Sequence, residues 1–100
     1  MHVIVWEYTV PEAHRDAFER DYGPNGDWVA LFRSAPGYIG TELLRDEKIP
    51  GRYITIDRWA TEADFAAFKK TSGALYEAMD RQFESLTSHE VKTGTFRSVQ

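Results

Sequence analysis

The sequence predicts an α+β domain in which one antiparallel four-stranded sheet carries helices on one face. Three observations predict it. Four segments rich in β-branched and aromatic residues read as strands. Two longer segments place apolar residues at helical spacing. The order along the chain is β-α-β-β-α-β, the ferredoxin-like arrangement.

The elements follow in order. Residues 2–10, HVIVWEYTV, form the first strand, with Ile4, Trp6, Tyr8 and Val10 on one side and Val3 and Val5 on the other. Pro11 suits a helix start, where its missing N–H costs nothing. Residues 12–22 place Ala13, Ala17, Phe18 and Tyr22 on one stripe, and Gly23-Pro24-Asn25-Gly26 breaks the helix. A second helical piece carries Trp28, Leu31, Phe32 and Ala35, with Asn25 or Asp27 as its cap, and stops at Pro36-Gly37. Residues 38–45 and 53–59 are strands joined by a polar turn at Pro50-Gly51, which favours a hairpin. Thr61 to Asp64 has the form of a capping box with Asp in place of Glu. The helix it opens carries Phe65 and Phe68, then Leu75, Tyr76, Met79, Phe83 and Leu86, and Ser72-Gly73 bends it. Residues 89–97 form the last strand.

We expect the helices to cover Ile4, Trp6, Tyr8, Ile54 and Ile56. The opposite side then carries Val3, Val5, Glu7, Tyr53, Thr55, Asp57 and Trp59. So much apolar surface on an uncovered sheet calls for a second copy of the chain, a homodimer about a two-fold axis.

Composition narrows the function. At 100 residues the chain reads as one domain, 1–100. Twelve Lys and Arg against sixteen Asp and Glu leave a net charge of −4, which argues against a nucleic-acid partner. Cysteine is absent, so disulfides and thiolate chemistry are excluded. No apolar run is long enough for a membrane span, and the first residues do not read as a signal peptide; a cytoplasmic protein is the expectation. His2, His14 and His89 share no metal-ligand spacing, so no metal site is expected.

The functional hint is aromatic. Trp6, Tyr8, Trp28, Phe32, Phe68 and Tyr76 are the candidates for lining a pocket between sheet and helices, though residue by residue each also suits an ordinary core. Asp57 and Glu7 would serve as bases if buried; pairing with Arg45, Arg52 or Arg58 is the plainer expectation. No catalytic residue is assigned. The Gly23–Gly26 segment reads as a helix break or as the hinge of a lid with Trp28 as its plug.

Three stretches carry a resemblance: the first strand closing on Val10-Pro11, Ala35-Pro36-Gly37-Tyr38-Ile39-Gly40-Thr41-Glu42-Leu43-Leu44, and Ile56-Asp57-Arg58-Trp59 running on to Phe65. Together they resemble the antibiotic biosynthesis monooxygenase-like family of the dimeric α+β barrel superfamily. The resemblance implies two sheets packed face to face and a pocket in each subunit. It also implies, for some members, oxidation of phenolic molecules by O₂ with no cofactor. A non-catalytic ligand-binding or stress-associated module of the same fold is the alternative. Related members degrade haem with a His on the last helix and an Asn on the first strand. Residues 65–86 contain no His here and the chain's one Asn is Asn25, so haem degradation is not expected.

Overall fold

A computed structural model describes residues 1–99. Strand β1 is His2–Thr9, followed by a 3-10 turn at Glu12–His14 and helix α1, Arg15–Tyr22. Helix α2 is Asp27–Arg33, β2 is Tyr38–Arg45 and β3 is Arg52–Trp59. Helix α3 is Glu62–Phe83, continued by a 3-10 turn at Glu84–Leu86, and β4 is His89–Arg97. The sheet order is β2-β3-β1-β4, with every neighbouring pair antiparallel. This is the ferredoxin-like α+β fold.

Register decides which residues face the helices, because side chains directly opposite one another share a face. Ile4 opposes Asp57, Trp6 opposes Thr55 and Tyr8 opposes Tyr53. The expected faces of β1 are therefore correct, and those of β3 are reversed. Tyr53, Thr55, Asp57 and Trp59 lie under the helices, while Ile54 and Ile56 lie on the open face. The alternation in β3 is clear, but its phase is set by pairing. That phase puts the larger apolar areas of Tyr53 and Trp59 inside, where both are almost wholly buried. On the other side, Val3, Val5, Ile54 and Ile56 join Leu44, Val91 and Phe96, the last three 45%, 42% and 51% exposed. The β1–β4 ladder slips once: Val5 opposes Gly94 and Trp6 opposes Lys92, leaving Thr93 without a place in it.

The core is a web of rings. Phe18 has no solvent exposure and stacks on Tyr22 at 4.3 Å between centroids, with Tyr53 at 4.9 Å and Tyr8 at 5.1 Å. Trp59 packs against Phe32, Tyr38, Phe65 and Phe68. Gly37 has φ +86°, and a Cβ there would collide with the Asp64 side chain. Its carbonyl accepts from the Ala60 N–H at 2.7 Å, so this turn ties the start of β2 to the start of α3.

Two local expectations change and one holds. The N-cap of α2 is Gly26, with no side-chain cap, so neither Asn25 nor Asp27 fills that role. Thr61 does cap α3, accepting from the Asp64 N–H at 3.1 Å. Leu75 is 61% exposed and leaves the apolar stripe, because α3 breaks at Ser72 (φ −114°, ψ 16°) and the second arm presents Tyr76, Met79 and Phe83 inward instead.

Candidate functional site

A cleft opens between the sheet and the helices, with a cavity volume of about 30 Å³. Its walls include Trp6 and Tyr8 from β1, Tyr22 from α1, Trp28 and Phe32 from α2, and Tyr76 from α3. Trp28 meets Tyr76 edge to face at 5.0 Å and lies 6.0 Å from Tyr22, so three helices contribute to one aromatic wall. The sheet supplies Thr41, Thr55 and Asp57 as a polar floor. Asp80 of α3, exposed, and Glu90 of β4, half-buried, complete the lining.

Of the aromatic residues expected at a pocket, the structure brings Trp6, Tyr8, Trp28, Phe32 and Tyr76 together. Phe68 does not line this cleft. It is packed between Phe32, at 5.2 Å, and Trp59, at 5.3 Å. Tyr22, Thr41, Thr55, Asp80 and Glu90 were not singled out by the sequence. Tyr22 reads as an ordinary stripe residue, and the others read as polar positions of strands or a helix. Trp28 is 7% exposed and packs on Tyr22, Phe32, Tyr76 and Phe83, so it forms a wall of the cleft.

Asp57 is the chemical centre of this arrangement. Its Oδ1 accepts from the Thr41 hydroxyl at 2.7 Å, and the Thr41 Oγ1 lies 2.6 Å from the Tyr38 hydroxyl. Among the described residues it forms no ion pair. Its cross-strand neighbours are Ile4 and Thr41, so no Arg stands opposite it. Burial pushes its carboxyl up to about 6, and the Thr41 hydrogen bond opposes part of that rise. Glu7 behaves otherwise. It accepts from Arg52 Nη2 at 2.7 Å, and this bond holds its carboxyl below the usual range. Arg58 pairs with Glu42 and Arg45 with Glu19.

Burial raises the tyrosines of the cleft as well. Tyr8 and Tyr22 are pushed far up, and Tyr76 up to about 12, so all three stay neutral hydroxyls near pH 7. Tyr8 Oη accepts a long hydrogen bond from Thr55 at 3.4 Å. The indole N–H of Trp28 is buried beside the Tyr22 hydroxyl, and that of Trp59 is buried without a hydrogen-bond partner. Among the described residues, no group of three or more acidic or imidazole side chains is placed to hold a metal ion. Among the same residues no helix is long and apolar enough to cross a membrane.

Comparison with known proteins places this architecture. An isomerase of (4S)-4-hydroxy-5-phosphonooxypentane-2,3-dione from Yersinia enterocolitica is 31% identical over 96 residues, covering 96% of this chain and 95% of that protein. SnoaB, a cofactor-independent oxygenase from Streptomyces nogalater, has a solved structure of the same fold: TM-score 0.66, 23% identity, 99% of this chain and 93% of that one. A variant of MhuD carrying two manganese protoporphyrin IX molecules per active site matches with TM-score 0.75 at 19% identity, covering 100% of this chain and 96% of the other. The sequence profile described as antibiotic biosynthesis monooxygenase matches residues 1–78. With 78 of its 100 residues on that profile and its whole sheet on that fold, the chain belongs to the antibiotic biosynthesis monooxygenase family.

Proposed function

We propose that the cleft binds a small, flat phenolic molecule and that Asp57 removes its proton, so that the resulting anion reacts with O₂ without a cofactor. The observation that carries this reading is Asp57 itself. It is a carboxyl with no ion-pair partner, set on the floor of an aromatic cleft, with a pKa of about 6. Such a group is ionised at pH 7 and is a far stronger base than an ordinary aspartate. The chemistry balances with O₂ as the oxidant. A ring methylene of the phenol loses two hydrogens and gains one oxygen, and the second oxygen leaves as water. The ionised ring gives up the electrons. The protein supplies the base and an aromatic wall that excludes water.

The resting cavity has room for about two water molecules. A ring therefore enters only when the wall moves. The break at Ser72, four residues before Tyr76, gives the second arm of α3 the freedom to do so.

A second reading has its own support in the 31% identical isomerase. The same base would take a proton beside a carbonyl and return it to the neighbouring carbon, with no oxygen consumed. Oxygen uptake separates the two. With a phenol carrying an oxidisable ring methylene, the wild type should consume O₂ and stop under nitrogen, and Asp57→Asn should lose at least a hundredfold in rate. Equal rates for the two proteins would end the proposal. Turnover undiminished under nitrogen would select the isomerase reading.

A homodimer belongs to the same proposal. Leu44, Ile54, Ile56, Val91 and Phe96 form an uncovered apolar face, and a second copy offers a face of matching chemistry.

A further inference from the structure

We propose that the ligand of the cleft is a phenolic amine, whose ring lies among the aromatic walls and whose protonated amine sits between Asp80 and Glu90. This inference rests on the cleft being the binding site and names the class of molecule it takes.

The charged lining of the cleft is wholly acidic. Three carboxyls face it, from Asp57, Asp80 and Glu90, and no Lys, Arg or His does. The carboxyls are not equivalent. Asp57 lies on the sheet floor beneath the helices and is held by Thr41. Asp80 is exposed and Glu90 half-buried, so these two frame the open end. Burial raises the Glu90 carboxyl, and the neighbouring carboxylates of Asp80 and Glu84 raise it further. A cation placed there relieves that repulsion, and an anion adds to it.

The rings are the second, independent observation. An ammonium over an aromatic face is attracted by the ring quadrupole, the more so out of water. One wall of the cleft already shows this chemistry: the Lys69 ammonium lies 3.5 Å from the centroid of Tyr76. Lys69 lies within electrostatic reach of Asp80 but does not line the cleft. Lys92, opposite Trp6 in the sheet, does not line it either, and the groups that act on Glu90 are the carboxylates of Asp80 and Glu84.

The Trp28 indole forms part of the aromatic wall, its buried N–H beside the Tyr22 hydroxyl. A proton for Asp57 at the inner end, rings along the walls and a cation at the outer end describe one small molecule. The phosphorylated dione of the isomerase relative has the opposite charge and does not fit this lining.

Three phenols of one skeleton test the inference: tyramine, 4-ethylphenol and 4-hydroxyphenylacetate, which are cationic, neutral and anionic at pH 7.5. Calorimetric titration should give tyramine a Kd at least tenfold below that of 4-ethylphenol, with 4-hydroxyphenylacetate weakest. The Asp80→Asn, Glu90→Gln double variant should bring the three to within threefold of one another. Both changes replace an acid by its amide at exposed or half-buried positions, and an unchanged circular dichroism spectrum confirms that the fold is kept. Equal affinities in the wild type, or tightest binding of the anion, would overturn the inference and leave the phenol-binding reading standing. Failure of all three to bind would remove both.

Discussion

Replacing Asp57 by Asn should make the protein more stable while abolishing proton transfer. The folded chain holds the Asp57 proton up to about pH 6, whereas an ordinary aspartate releases it near 3.8. Between those values the folded state binds more protons than the unfolded one, so stability falls as pH rises through the interval and stays low above it. The difference is about 2 pH units, or about 3 kcal/mol at 1.36 kcal/mol per unit. Solvent reaching the carboxyl through the cleft lowers that figure, so a gain of about 1–3 kcal/mol is expected for Asp57→Asn at pH 8. The amide still accepts from Thr41, so the hydrogen bond survives. In a chain of this length such a gain raises Tm by roughly 4 °C or more. Thermal unfolding of both proteins at pH 8 and at pH 3.5, at one fixed protein concentration, reads the effect. The gap should be wide at pH 8 and nearly closed at pH 3.5. A variant less stable than wild type at pH 8, or a gap independent of pH, would refute the account of Asp57 as a carboxylate ionised against the pull of its surroundings.

Other expectations follow from the same geometry. The pH profile of kcat/KM should fall tenfold per unit below about pH 6, and Thr41→Val should move that limb upward, since the Thr41 hydrogen bond favours the ionised form. Phe18→Ala should cost about 3–5 kcal/mol in urea unfolding, because Phe18 is fully enclosed by Tyr8, Tyr22 and Tyr53. Ile56→Glu, in the middle of the uncovered sheet face, should turn a dimer into a monomer in sedimentation velocity while leaving the circular dichroism spectrum unchanged; an unaltered sedimentation coefficient would remove the sheet-to-sheet dimer. Acid should loosen the β2–β3 turn only at very low pH, because the Ile49 and Lys48 N–H groups and Arg52 hold the Asp46 carboxyl down to about 2. That contribution is present above the ordinary aspartate value and is lost as pH falls through about 2, which hydrogen exchange at the turn would follow.

The order of elements was legible because each has a local signal. Val3 to Val10 can hardly be anything but a strand, and Phe18 and Tyr22 lie one helical turn apart on an otherwise charged segment. The break in α3 was legible too, at Ser72-Gly73. The phase of β3 was not, because two alternating sets are both partly apolar and only pairing with β1 chooses between them. The same gap left Asp57 between a buried base and an ion-paired carboxylate. Whether it meets an arginine depends on which residues oppose it, and the register supplies Ile4 and Thr41. Glu7, by contrast, does meet Arg52, as its charge suggests. Asp80 and Glu90 read as ordinary polar positions; only the packing of α3 and β4 shows that they frame one opening.

The slip at Thr93 bears on the electrical character of that opening. Val91 and Phe96 are five residues apart, an odd interval that a regular strand would send to opposite sides of the sheet. By letting one residue drop out of the ladder, β4 resets its parity. Both oily side chains then project outward, and Glu90 swings beneath the helices beside Tyr8. Were Thr93 drawn into the ladder, Val91 would take the place opposite Tyr8 and the carboxyl would be lost from the rim. A chain shortened by this one residue would keep the parity it now has, so the position tolerates deletion far better than any enforced straightening.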